Sequence, residues 1–254
     1  MKKRSLILST ALLLVAIMAC TSATYAWFTN SKTATVTDIT ASVAQQSSLL
    51  ISGAASAPAA GSTDWKSTLA QGDLATLATP VTLLDRSSVD GSAFFSRSVD
   101  EETNEVTFAE DSTGVIVFTL HFISSAGGEL IVTDHKLAST KLAQEAARVA
   151  FICEGNTIIW EPSQGTTVSN DGYKSSSTGA DGTRVMAIND TNGGTAEQVQ
   201  TLASLSDSDV ITTLEANVAK TVTVKIWLEG QDAQCANAIT GANVVTSYQF
   251  GLAA

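Results

Sequence analysis

An all-β fold, an antiparallel β-sandwich of the jelly-roll type with one or two short helices, is what this sequence predicts. Three observations lead there. Several stretches alternate apolar and polar residues with a period of two, the signature of strands with one buried face. Glycine and asparagine punctuate those stretches at spacings suited to tight connections. Charged residues make up only 15% of the 254-residue chain, against abundant Ser, Thr, Ala and Gly, a balance closer to a β-rich extracellular domain than to a disordered one.

The elements follow in chain order. From Trp27 to Val43 the apolar positions are Ala34 and Val36, then Ile39, Ala41 and Val43, so the alternation slips by one residue at Thr37-Asp38. Such a slip marks a β-bulge or a break between two strands. Ser52 to Gly61 is rich in small and turn-forming residues and reads as a long loop. In Val115 to Phe122, the side chains Ile116, Phe118, Leu120 and Phe122 share one face. Gly127-Gly128 separates this strand from Glu129 to Thr133, and Glu154-Gly155-Asn156 separates Arg148 to Cys153 from Thr157 to Trp160. Both junctions predict hairpins, since glycine supplies the positive φ of a tight turn. Thr140 to Ala147 is rich in helix formers, and Thr195-Ala196-Glu197-Gln198 has the spacing of a capping box, so short helices are expected at both places. Ser163 to Gly182, glycine-rich and poor in apolar residues, is a second long loop. Thr221 to Leu228 puts Val222, Val224, Ile226 and Leu228 on one face, and Val244 to Phe250 does the same with Val244, Tyr248 and Phe250. No half of the pattern closes a core of its own, so residues 27–254 are expected to form a single domain.

Residues 1–26 read as an export signal. Lys2, Lys3 and Arg4 form a positive head, Leu6 to Ala19 an apolar core, and Thr24-Tyr25-Ala26 a small-x-small site that predicts cleavage between Ala26 and Trp27. The apolar run is shorter than the roughly 18 to 20 residues that span a bilayer, so contact with the membrane is expected only before cleavage. Ile17-Met18-Ala19-Cys20 offers a second route, in which Cys20 would become a lipidated N-terminus. The mature chain keeps 11 Lys plus Arg against 25 Asp plus Glu, a net charge of −14. Such a surface repels phosphate backbones and argues against nucleic-acid binding.

The junction Thr24-Tyr25-Ala26-Trp27-Phe28-Thr29-Asn30 resembles the export signal of the TasA and camelysin family of secreted surface and biofilm-matrix proteins of Gram-positive bacteria. Val224 to Gly230, followed by Asp232 and Cys235, is similar to a strand and loop of the same family. The resemblance implies an extracellular β-sandwich that polymerises. It further implies that the segment freed by cleavage, with Trp27, Phe28, Ala34 and Val36, completes the sheet of a neighbouring subunit by β-augmentation. An edge strand within the same chain is the alternative.

Signals for catalysis are missing. The chain has two histidines, His121 and His135, and no His-Glu-x-x-His, so neither a zinc site nor any other cofactor is expected. Both histidines are expected to be partly exposed and structural, His121 on the outward face of its strand and His135 beyond a strand end. No Gly-x-Ser-x-Gly elbow or phosphate-cradling loop is present. Asp171, Asp181, Asp190, Asp207 and Asp209 could offer oxygen to calcium but lack the spacing of a preformed loop, and solvated turns are the expected state. A sharper candidate is Trp227 to Asp232, where a strand ending in alternating acids aims carboxylates at one point. Once the signal is removed, Cys153 and Cys235 are the two thiols left. They either pair, closing a loop of about 80 residues worth roughly 4 kcal/mol, or remain two buried thiols. The sequence thus predicts a secreted, non-enzymatic cell-surface or matrix protein, a homo-oligomer or filament that also meets other matrix or cell-wall components. The alternatives are a monomeric extracellular module that binds carbohydrate or protein, and a secreted metallopeptidase of the camelysin kind.

Overall fold

The computed structural model of the chain describes residues 32–43, 49–78, 81–100, 102–103, 105–162, 183–189, 195–203, 205, 209–232, 235 and 239–253. Both Trp27 and Phe28 lie outside them, as do the signal segment and the 163–182 loop. The all-β sandwich expected from the alternation is the fold observed. One sheet, A, is centred on β1 (Thr33–Val43), β15 (Ala242–Leu252) and β8 (Gly128–Ser139), with β13 (Thr212–Leu214) beyond β8. The facing sheet, B, runs β2 (Leu49–Ser52), β7 (Ile116–Ser124), β14 (Lys220–Glu229), β9 (Ala147–Cys153), β10 (Asn156–Trp160). A short strand, β4 (Thr82–Arg86), joins the two: Thr82 to Leu84 pair with β1, and Asp85 and Arg86 pair with β14. Two pairings are parallel, β1 with β15 and β4 with β14, so the sheets are mixed rather than antiparallel throughout.

Alternation put the right side chains inside. Ile116, Phe118, Leu120 and Phe122 from β7, Val222, Val224, Ile226 and Leu228 from β14, and Val244, Tyr248 and Phe250 from β15 enter one buried cluster with Ala34, Val36, Ile39, Ala41 and Val43 of β1. Its centre is aromatic: Phe122 meets Phe250 edge-on at 4.7 Å, and Phe151 meets Tyr248 at 5.4 Å. Such pairs add about 0.5–1.5 kcal/mol each beyond their buried area.

The slip in β1 is a bulge, not a break. Val36 lies opposite Val244 and Asp38 opposite Val245, leaving Thr37 as the extra residue, and the apolar set returns to the core on both sides of it. At Glu154-Gly155 the expected hairpin forms: Cys153 pairs with Asn156, and the two turn residues have φ of 49° and 85°.

Two expectations about local structure are corrected. Gly127-Gly128 does not turn a hairpin, because β7 pairs with β14 and β2 while β8 pairs with β15 and β13; the glycines carry the chain from one sheet to the other. There, φ is 75° at Gly127, and a Cβ would lie 2.9 Å from the Leu214 carbonyl oxygen, so glycine is required. The capping-box segment is also not helical: Thr195–Thr201 is β12, paired antiparallel with β11 (Thr183–Asn189). Cross-strand pairing with β11 runs along all seven residues of the stretch, whereas a single isolated helical turn is costly to nucleate. Thr140–Glu145 does wind, as a short 3₁₀ segment, and a second such turn spans Gln71–Asp73.

The largest departure lies on the outer face of sheet B. Half-buried strands imply water there, yet Trp227 of β14, Ala150 of β9 and Ile159 of β10 form a second buried cluster with Phe94 and Leu202. Leu202 follows β12, and Phe94 precedes β5 (Phe95–Val99), which pairs with β6 (Val106–Glu110). Two hairpins, β5–β6 and β11–β12, thus lie over the sandwich as a partial third layer.

Candidate functional site: a buried charge cluster and the N-terminal strand slot

The acids of Trp227 to Asp232 converge as expected, and what they converge on is Arg148. This side chain is fully buried on the outer face of β9. One terminal nitrogen lies 2.7 Å from Asp232 Oδ2, the other 3.2 Å from Glu161 Oε1 and 3.0 Å from the Ala147 carbonyl. Arg148 Nε donates to Gln200 Oε1 of β12 at 3.3 Å, and Gln200 Nε2 donates to the Ser88 carbonyl at 2.6 Å. Glu229 closes the circuit: its carboxylate accepts from Trp227 Nε1 at 3.1 Å, from the Ser88 amide at 3.3 Å and from the Gln231 amide at 3.2 Å. Burial pushes the Glu229 pKa up, against the pull of the Arg148 charge and these donors. The cluster therefore ties β12 and the Ser88 loop onto sheet B through hydrogen bonds that no water reaches.

Sequence reasoning found Glu229 and Asp232 and missed Arg148, Glu161, Gln200 and Ser88. One signal was available: a lone arginine inside the apolar run Ala147 to Cys153 has to find buried carboxylates. Chemically, the guanidinium engages the acids that a cation would need. Among the described residues no group of three or more His, Cys, Asp or Glu is placed to hold a metal ion. Of the five loop aspartates, Asp209 is half-buried, and Asp171, Asp181, Asp190 and Asp207 lie outside the described residues.

The cysteines are free thiols, both buried. Cys153 ends β9, whereas Cys235 follows Asp232, which bonds to Arg148 near the opposite end of that strand. Of the two alternatives, the structure holds Cys153 and Cys235 as two buried thiols. Secreted protein unfolded in denaturant without reductant should therefore take up two equivalents of a thiol reagent, where a disulfide-bonded protein would take up none.

His121 keeps the expected outward face but is buried rather than partly exposed, and His135 is partly exposed as expected but lies inside its strand rather than beyond the strand's end. His121 is buried on the outer face of β7 beneath the 53–76 segment, with Nδ1 2.8 Å from Thr221 Oγ1 and Nε2 3.0 Å from the Ala54 carbonyl. That carbonyl can only accept, so Nε2 carries the proton and Nδ1 accepts from threonine. Burial lowers the His121 pKa from its ordinary 6.5. His135 lies inside β8, just past a bulge at Thr133 that turns it inward, edge-on to Trp160 at 4.1 Å. Burial lowers its pKa as well, against the neighbouring Asp134 charge. For His121 the folded state binds fewer protons than the unfolded state, so its contribution is complete above about pH 6.5 and is lost as pH falls through the depressed value. The stability gap between the protein and its His121→Gln variant should narrow from pH 7.5 to 5, measured by urea melts at each pH; a gap constant across that range contradicts this.

The second feature is the place of the N-terminal strand. Ala34 and Val36, expected in a donated strand, are 1% and 3% exposed and lie in the chain's own sheet. β1 is an interior strand: β15 flanks one side, and β4 and β3 (Thr68–Leu69) flank the other. It is therefore not the edge strand given as the alternative. At its start Lys32, buried, reaches Asp85 of β4 across 3.6 Å. Comparisons with protein families, with curated proteins and with solved structures found no match.

Proposed function

We propose that this chain is an exported structural protein of a cell surface or extracellular matrix, trimmed after Ala26 and able to polymerise by passing β1 to a neighbouring copy. The observation that carries this reading is the position of β1. Counted from Trp27, Thr33 is the seventh residue, so a strand that begins almost at the proposed mature terminus fills an interior slot of sheet A. A terminal strand can leave its slot without threading the rest of the chain. A second copy can supply the same strand, restoring every hydrogen bond and apolar contact in trans, and repetition in one direction gives an open chain of subunits.

The acidic mature surface supports an extracellular role, in which the net charge of −14 keeps free subunits apart until strand pairing overcomes the repulsion. Sugar binding by ring stacking finds little support, because the large apolar side chains exposed among the described residues are Leu50, Val117, Val199, Val218 and Val245. Processing is the first test. Intact mass of secreted protein should correspond to a chain starting at Trp27; a lipidated chain starting at Cys20 would make the protein a membrane-anchored lipoprotein and remove the free strand.

A further inference from the structure

Strand β1 has one end from which it can leave its slot. Residues 44–48 join its C-terminal end to β2, which is held on β7 in the facing sheet. At the other end the strand begins at Thr33, and the proposed mature terminus lies five residues before Lys32. Peeling therefore starts at Lys32. The residues just past it are zipped on both sides: Thr33 to Thr35 pair with Leu84 to Thr82 of β4, the Thr33 carbonyl accepts from the Gly241 amide at 2.8 Å, and the Val36 amide donates to Val81.

An ion pair holds that end. The Lys32 amide donates to Asp85 Oδ1 at 3.2 Å and its ammonium lies 3.6 Å from Oδ2, so one carboxylate grips both backbone and side chain. Asp85 is itself anchored away from β1: it pairs with Leu228 of β14, and its carbonyl accepts from the Arg86 guanidinium at 2.7 Å. The start of β1 in sheet A is thus tied to sheet B. The partners are buried unequally, the Lys32 side chain 6% exposed and that of Asp85 19%. Without its partner the carboxylate can be hydrated in place, whereas the ammonium has to move out to reach water. Loss of the pair therefore acts on β1 rather than on β4.

We infer that Lys32 and Asp85 form the latch of β1, the contact that opens first when the strand leaves its slot. A strand arriving from a second copy brings its own Lys32 to the same carboxylate. The bearing of the latch on assembly rests on the reading that β1 passes between copies; its hold on the strand within one chain does not.

Native-state hydrogen exchange of the full mature chain tests this, with the Val36 amide reporting the start of β1 and the amides shared by β7 and β14 reporting the whole fold. Asp85→Asn keeps an acceptor for the Lys32 amide and removes the charge, so exchange at Val36 should rise roughly tenfold relative to the β7 amides. Lys32→Met strands no buried ion and should change Val36 by less than about threefold. The double variant Lys32→Met, Asp85→Asn should return Val36 to near the parent rate, and should restore folding if Asp85→Asn alone is unfolded. Equal acceleration at Val36 and in β7, no acceleration at Val36, or no rescue in the double variant overturns the latch. Transfer is read separately, by native mass spectrometry of mixed isotope-labelled and unlabelled copies. Faster mixing in Asp85→Asn supports latch and transfer together; an opened Val36 with no mixing in any variant leaves the latch standing and contradicts the passage of β1 between copies.

Discussion

Arg148→Met is expected to destabilise the fold by about 3–5 kcal/mol, because it strips the countercharge from two carboxylates held out of water. Asp232 and Glu161 each contact the guanidinium directly, and Gln200 loses the donor that fixes β12 above the sheet. For a chain of this size the loss corresponds to a fall in Tm of roughly 6–20 °C. Arg148→Lys should recover only part of it, since an ammonium cannot reproduce the fork that reaches Asp232, Glu161 and Gln200 together. The triple change Arg148→Met, Glu161→Gln, Asp232→Asn should be milder than the single one, because removing all three charges leaves no ion stranded. Thermal melts of the three variants decide the matter; a single variant as stable as the parent would mean that water reaches the cluster.

The second large effect concerns β1. Val36→Pro removes an amide that donates to the Val81 carbonyl at 3.0 Å and forces a proline ring into an interior strand. A loss of about 3 kcal/mol or more is expected. From sequence, deleting residues 27–36 is expected to leave a folded monomer, because the segment reads as an appendage to a complete core. The interior position of β1 changes that expectation. Deletion uncovers the side of β15 and β4 that β1 occupies, together with Phe250 and its neighbours, so the truncated chain should aggregate rather than stay monomeric. Size-exclusion chromatography of the truncated chain separates the two outcomes.

What the sequence made legible was the inner face of the sandwich. Period-two alternation in β7, β14 and β15 is a local property, and the core residues it marks are the ones that are buried. The Thr37 bulge was visible for the same reason: one extra residue shifts the register, and the register shows in which positions are apolar. Arg148, Gln200 and Ser88 were not visible as a site, because what unites them is a hairpin far along the chain folding over a sheet face that alternation alone assigns to solvent. The Gly127-Gly128 link failed differently. A glycine pair signals a sharp change of direction, but whether the flanking strands pair or part is decided by their partners, β14 and β15, more than 90 residues away. Glu229 and Asp232 were found because their spacing at a strand end is local, whereas the charge they serve is not.

The central claim is that β1 moves between copies, and a covalent trap tests it most directly. Ser42 of β1 and Gln249 of β15 lie opposite one another in the parallel pair, on the outward face. In a mature chain carrying Ser42→Cys and Gln249→Cys, oxidised under conditions that favour assembly, each bond joins whichever β1 and β15 are paired. Strand exchange should give a ladder of covalently linked subunits on a non-reducing gel, collapsing to one band on reduction. A single monomeric band carrying an internal disulfide, at every protein concentration and pH tried, would contradict exchange and leave β1 as a permanent part of its own chain.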